Sequence, residues 1–463
     1  MGSNQRGTPI GEYVSLQRGT TYKGMLLDQP GPWLIGLGSI ARNGGFKGQK
    51  LRTYGGPSAE KILLKPGDIY VSLKDITQSA DLLGAVARVP SQIQIGRLTQ
   101  DTVKLVFKSE SAPSKLIYWT LRTPQYRSYC RSHSTGTTNL GLSRDDFLSY
   151  PIPKSTPFTN RAVVLLEQIE DKIELNRKMN ATLEAMAQAL FKSWFVDFDP
   201  VIDNALRANN PIPDELADRA EIRRQAIANG TANEAATKDF PAAFQETEEL
   251  GWIPEGWEVS TIQDATEAII DHRGKTPKKL GSDWAESGYP AVSAKNIKDG
   301  KLVRKDAIHF TNTELYERWM AQELDKGDVL MTSEAPLGEK FYLAKKFKWV
   351  LSQRLFALRA NENLSGVYLY HWLDTEIAKS DIDGRASGTT VQGIRQSELR
   401  KVKVLAPSIP CITAFSKAAD SLMEKRAINE ENTEQLTKLR DSLLPKLISG
   451  ELRVSETKQS TEI

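Results

Sequence analysis

Cysteine and histidine are nearly missing from this 463-residue chain, which holds two of the former and four of the latter. Cys130 and Cys411 cannot build a disulfide framework, and the scattered histidines form no cluster with metal-ligand spacing. Two ordinary thiols in a reducing compartment are the expectation. No run of about 18 apolar residues occurs, so no membrane span is expected. The start "MGSNQRGTPIGEYV" has no apolar signal core, which points to the cytoplasm. Charge of one sign is not in large excess either, with 61 Lys and Arg against 58 Asp and Glu. A hydrophobic share of 40% and a length of 463 residues allow about two to four domains with substantial cores.

Catalytic signatures are missing as well. "RGKT" (273–276) ends like a phosphate-binding loop, but the glycine needed five positions before Gly274 is Ile269. "NNPIP" (209–213) is not the Asn-Pro-Pro-aromatic signature of an adenine methyltransferase. "PDEL" (213–216) has no acid-x-Lys pair close downstream for a metal-dependent nuclease. Neither His-Glu-x-x-His nor Gly-x-Ser-x-Gly is present, and no glycine-rich cofactor loop follows an apolar strand. The chain is therefore expected to have no catalytic centre and to bind no metal or cofactor itself.

What is present is an uneven charge and a duplication. Residues 1–150 carry 19 Lys and Arg against 10 Asp and Glu, a net of +9 that suits a polyanion binder. Residues 251–408 carry 23 against 22, with local basic clusters such as "HRGKTPKK", and residues 196–250 carry 5 against 12. "STGTTNLGLSRDDF" (134–147) repeats as "ASGTTVQGIRQSEL" (386–399), and "LKPGDIYVS" (64–72) as "LDKGDVLMT" (324–332). Short apolar stretches such as "TVKLVF" and "GDVLMTS", bounded by Gly, Pro and Asn, read as strands. "PSKLIYWTLRTPQYRSY" (113–129) and "GVYLYHWLDTEIAKS" (366–380) read as helices ahead of each Gly-Thr-Thr loop.

Each copy runs on into a long helix. Leu166, Ile169, Ile173, Asn176, Asn180, Leu183, Ala187, Leu190 and Trp194 recur at alternating spacings of three and four, the pattern of a coiled-coil seam. Ala419, Leu422, Arg426, Asn429, Thr433, Leu436, Arg440, Leu443 and Leu447 follow the same seam. Polar seam positions argue for a register-specific pairing between helices, since a helix on a single core would fill them with apolar residues. Pro445 should end or kink the second helix near its last turn. The expected fold is α+β: two globular, mainly β domains separated by two long helices paired as an antiparallel coiled coil, in a pseudo-twofold tandem duplication. A seam of about 30 residues spans roughly 45 Å, on the order of 13 base pairs of duplex.

"LRDSLLPKLISGELRV" (439–454), "ALFKSWFVDFDPV" (189–201), "GWIPEGWEV" (251–259) and "IIDHRGKTPKK" (269–279) together resemble the specificity subunit of type I restriction–modification enzymes. The likeness covers nearly the full chain, and the C-terminal phrase is its most specific part. It implies a target recognition domain at 1–157, a central spacer helix at 158–198 and an acidic connector at 199–250. A second recognition domain at 251–408, a C-terminal helix at 409–454 and a tail at 455–463 follow. It further implies binding to double-stranded DNA with an asymmetric bipartite target and a fixed gap. The partners implied are two methyltransferase subunits and, through them, restriction subunits, with no membrane. S-adenosylmethionine, ATP and Mg2+ would act in those partners, in a cytoplasmic phage-defence complex. Two rival readings are a phage-type decoy that captures methyltransferase subunits and a self-contained nuclease or methyltransferase with fused recognition domains.

DNA contacts would come from basic and polar loop residues, with Lys and Arg on phosphates and Arg, Lys, Asn, Ser and Thr on base edges. In the first domain these are Arg42, Asn43, Lys47, Lys50, Lys74, Arg131, Ser134, Thr137 and Thr138. In the second they are Arg273, Lys275, Lys278, Lys295, Asn296, Lys298, Arg385, Thr389 and Thr390. The Gly-Thr-Thr loops fit equally a DNA contact and a structural turn. Ile169, Ile173, Asn176, Leu183, Leu190, Leu422, Asn429, Leu436 and Leu443 are the expected helix-pairing and partner positions.

Overall fold

The computed structural model describes residues 7–48, 50–75, 79–137 and 139–453. Two compact units divide the chain, one joining residues up to Leu175 with those from Asn432 onward, the other spanning Asn176–Glu431. Both long helices, Pro157–Phe195 and Ile409–Ser449, contribute to each unit.

The first unit is built on a four-stranded antiparallel sheet of β1 (Val14–Arg18), β2 (Ile69–Ser72), β3 (Val86–Arg88) and β4 (Thr102–Phe107), in the order β1-β4-β2-β3. Every residue of the central β2 is buried, as expected of a strand covered on both faces. The helix Ser114–Thr120 adds Leu116, Ile117 and the fully buried Trp119 to the same core. The long helices enter this core through Ala162, Val163 and Leu166 on one and Leu444, Leu447 and Ile448 on the other. Glu167 fixes the first helix to the domain, accepting hydrogen bonds from Trp119 Nε1 at 2.7 Å and Arg88 Nη1 at 2.9 Å. Arg440 Nη1, with its side chain 9% exposed, donates to Glu170 Oε2 at 2.6 Å, so the helices pass one another in opposite directions here.

The second unit repeats the plan. β5 (Thr266–Asp271), β6 (Val329–Thr332), β7 (Lys340–Tyr342) and β8 (Leu355–Ala360) form a sheet of order β5-β8-β6-β7, the same succession as in the first unit. In each copy a strand ahead of the sheet pairs with the strand before the long helix: Thr8–Pro9 with Pro151–Ile152, and Glu258–Thr261 with Lys403–Ala406. The duplication seen in the sequence is therefore a duplication of fold. The long helices again run antiparallel, with Phe191 against Phe415 and Asn180 against Asn429.

The stretch 199–250 is folded onto this second unit. Asp199 and Asp203 sit on the buried face of the helix Asp199–Ala208 and receive paired hydrogen bonds from Arg219 and Arg223 on the helix Ala217–Ala228. Fork-to-carboxylate pairs of this kind fix orientation as well as distance. Phe198 and Phe240 join Phe195 and Trp257 in an aromatic cluster, and Trp257 is the tryptophan of the "IPEGW" turn.

Every seam position named from the sequence is buried or half-buried. The asparagine contact is between Asn429 Nδ2 and Asn180 Oδ1, at 3.0 Å, and Asn180 Nδ2 donates in turn to the carbonyl of Arg426 at 3.2 Å. Pro445 lies about one turn before the end of the helix, which runs past it to Ser449 and stops at Gly450, whose φ is 78°. A proline removes one donor, and the missing bond to Asp441 falls in the last turns, where few further bonds depend on it. The two expected helices of 113–129 and 366–380 each split in two. Thr123 and Thr375 cap the second pieces by accepting from the backbone N–H groups of Tyr126 and Ala378. Among the described residues no helix is long and apolar enough to cross a membrane.

Arg426 is 6% exposed and holds Glu184 at 2.7 Å while donating to the carbonyl of Gly300 at 2.6 Å. Arg426→Met should destabilise the chain by about 2 kcal/mol in urea unfolding, because it strands the half-buried carboxylate of Glu184, and adding Glu184→Leu should restore most of the loss. His371 lies between Phe191 and Phe415, and burial with the nearby Lys340 ammonium pulls its pKa down to about 3. The ring is thus neutral when folded, so its stabilisation is complete above the unfolded pKa near 6.5 and drains as pH falls toward the folded value. Between pH 6.5 and 5 the loss should approach about 1.4 kcal/mol per pH unit, and His371→Phe should flatten that dependence in unfolding curves.

Candidate nucleic-acid interface

The two Gly-Thr-Thr loops close short hairpin-like turns at equivalent places. In the first unit Thr135 faces Gly141 in an antiparallel ladder; in the second, Ser387 and Gly393 form the corresponding bridge. Glycine is required at both bends. Gly136 has φ 92° and Gly388 φ 119°, and an added Cβ would lie 2.4 Å from the carbonyl oxygen of Asn139 or 2.2 Å from that of Val391. The turn thus has a structural reason to exist, and it leaves Thr137, Thr389 and Thr390 exposed. Thr138 lies outside the described residues.

The first loop gathers several expected contacts. The strand Leu140–Leu142 pairs with Lys74–Asp75, which puts Lys74 opposite Gly141. Arg131 ends the preceding helix, and Ser134 Oγ donates to its carbonyl at 2.8 Å. Lys74 and Arg131 are exposed and Ser134 half-exposed, with Lys74 Nζ 3.8 Å from Asp101. Hydrogen bonds tie down the residues behind them. Asp75 accepts from the backbone of Leu82 at 2.6 Å, while the buried Arg127 binds the carbonyls of Ala80 and Asp81 at 2.9 and 2.8 Å. Arg42, Asn43, Lys47 and Lys50 are all exposed on a neighbouring loop, whose Asn43 N–H is held by the Asp81 carbonyl at 3.1 Å. Arg42 keeps a 3.6 Å ion pair to Asp81.

In the second unit Lys278, Lys295 and Lys298 are exposed. Arg273 is held by Asp271 at 2.9 Å and covers the Phe356 ring at 4.7 Å, which orients its guanidinium and offsets part of its charge. Lys275 Nζ donates to the Trp319 carbonyl at 2.9 Å. Arg385 is half-buried between Asp381, at 2.7 Å, and Glu398. Asn296 corrects the expectation of a DNA contact. It is fully buried, accepts from Ser293 and donates to the carbonyls of Val303 and Arg304, so its amide is spent on holding a loop and cannot reach a base.

Sequence reasoning missed Trp284, His309, Gln353 and Arg354. They come from three separate segments, so no spacing could reveal that Trp284 stacks on His309 with ring centroids 5.0 Å apart. All four line a cavity of about 430 Å3 beside Lys275 and Lys295. Cys130 and Cys411 are both buried free thiols, and burial raises the pKa of each.

Comparison with known proteins gives these features a family. Residues 254–438 match the type I restriction modification DNA specificity domain. The chain is 27% identical over 354 residues to the type I restriction enzyme HindI specificity subunit of Haemophilus influenzae, covering 71% of this chain and 74% of that protein. It is 24% identical over 364 residues to the MjaIX specificity subunit of Methanocaldococcus jannaschii, covering 77% and 73%. In fold it resembles the crystal structure of a type I restriction–modification S subunit from M. genitalium, with a TM-score of 0.54, 14% identity and 98% of each chain covered. Residues 254–438 thus carry a type I restriction modification DNA specificity domain, and over most of its length the chain is similar to type I restriction–modification specificity subunits.

Proposed function

We propose that the chain reads an asymmetric, bipartite sequence in duplex DNA, each globular part contacting one half, while the paired helices fix the gap between the halves. The same helices would seat two methyltransferase subunits, through which restriction subunits join. Methylation with S-adenosylmethionine and ATP- and Mg2+-dependent cleavage would then belong to those partners. The observation that carries this reading is the repeated sheet order, each copy presenting a Gly-Thr-Thr loop shortly before its long helix. Exposed cations near both loops supply the sequence-independent hold on phosphate. The polar contacts between the helices favour one register over its neighbours, as a spacer requires.

Selection from a random duplex pool by the full chain with its methyltransferase partners should return two short motifs at one separation. Inserting one base pair between them moves one half by about 3.4 Å and turns it by roughly 34°, which should cost at least about tenfold in affinity. Unchanged affinity after insertion would refute the ruler. Titration across salt gives a second measure. Lys278→Ala and Lys298→Ala should each weaken binding to all sequences alike and lower the slope of log K against log salt by about 1.

A further inference from the structure

The cavity beside Lys275 has a chemistry more specific than a basic patch. Trp284 is 40% exposed, is stacked on His309 with planes 20° from parallel, and has Trp319 6.1 Å away. Trp319 is itself fully buried, and its Nε1–H has no hydrogen-bond partner. Lys275, Lys295 and Arg354 add positive charge, Arg354 being paired with Glu334 at 2.9 Å, and among the described residues no carboxylate lines the space. Gln353 contributes an amide, able both to donate and to accept. At about 430 Å3 the volume falls within the roughly 300–1,000 Å3 typical of small-ligand sites. Two of its lining residues, Ala335 and Arg354, hold left-handed backbone, with φ of 55° and 64°. Such conformations in non-glycine residues concentrate where a surface is shaped for binding.

Flat rings, a two-way hydrogen-bonding edge and surrounding cations together match a nucleotide: a planar base with phosphate attached. A base within an intact duplex offers only its edge to a protein, whereas stacking on a side chain needs its face. We propose that this cavity receives one nucleobase turned out of the DNA duplex, stacked on the Trp284–His309 pair. Gln353 reads its edge, and Lys275, Lys295 and Arg354 hold the flanking phosphates. The assignment rests on the DNA-reading role proposed above and adds to it a mode of recognition at one position of the half-site read by the second unit.

The test uses the full chain and the duplex obtained by selection, with each target base pair converted in turn to a mismatch. Extrusion is cheaper from a mismatch, so one position in the second unit's half-site should bind more tightly when mispaired, while mispairing elsewhere weakens binding. Trp284→Ala should lower affinity for the matched duplex by about 5- to 150-fold and abolish the gain at that position. Trp284→Phe keeps an aromatic face and should preserve the gain, and His309→Ala should reduce it. Melting curves that overlay the parent's would assign these effects to the site. A chain that selects a target yet shows no position tightened by mispairing overturns the cavity assignment alone. A chain that selects no target overturns the DNA-reading role and this assignment with it. Titration with free AMP and dTMP separates the two sources of a base. Saturable, Trp284-dependent nucleotide binding together with a flat mismatch scan would assign the cavity to a free nucleotide and refute a base presented by DNA.

Discussion

Burying a guanidinium between two helices leaves the chain little freedom in how those helices meet. Arg440 reaches Glu170 in the first unit and Arg426 reaches Glu184 in the second, each with less than a tenth of its side chain exposed. Such pairs contribute little net stability, because desolvation offsets most of the attraction. Their weight lies in what happens when they are misplaced. Sliding either helix by one turn would separate both pairs and leave buried charges without their partners, a penalty larger than the pair itself yields. The Asn180–Asn429 contact acts in the same direction with neutral groups. A chain whose proposed task is to hold a separation constant gains from an interface that is specific before it is strong.

The domains are fastened to this interface by similar means. Glu167 on the first helix binds both Trp119 and Arg88, and Arg426 on the second reaches the carbonyl of Gly300. In each unit a buried polar residue of a helix is thus shared with the adjoining globular part. Exposed residues of the Gly-Thr-Thr loops are carried on hairpins whose bends admit no side chain. In the proposed reading, such mounting would leave little ordering to be done on binding.

Much of this was legible from the sequence, for reasons that differ by element. The helices declare themselves through periodicity, which is local, and the duplication through the repeated Gly-Thr-Thr phrase. Strands such as "TVKLVF" were clear because flanking turn residues bound a short apolar run. Pro445 marked the end of the second helix only to within about a turn, because few hydrogen bonds follow it and losing one there costs little. Asn296 misled because an asparagine next to lysine looks the same whether it faces solvent or caps a turn. The Trp284–His309 pair was invisible for the opposite reason, since its partners meet only through tertiary folding.

The acidic stretch from Asp199 to Leu250 has the composition of a loose linker, and such segments are where proteases usually enter. Here two carboxylate–guanidinium forks, Asp199 with Arg219 and Asp203 with Arg223, clamp its helices together, while Phe240 is buried among aromatic rings. Trypsin seeking Arg219 or Arg223 therefore meets side chains already engaged and a backbone already helical. Digestion should leave this segment joined to the globular part that follows it, so that a fragment beginning near the end of the central helix, rather than at Gly251, is the smallest piece of the second half to survive intact.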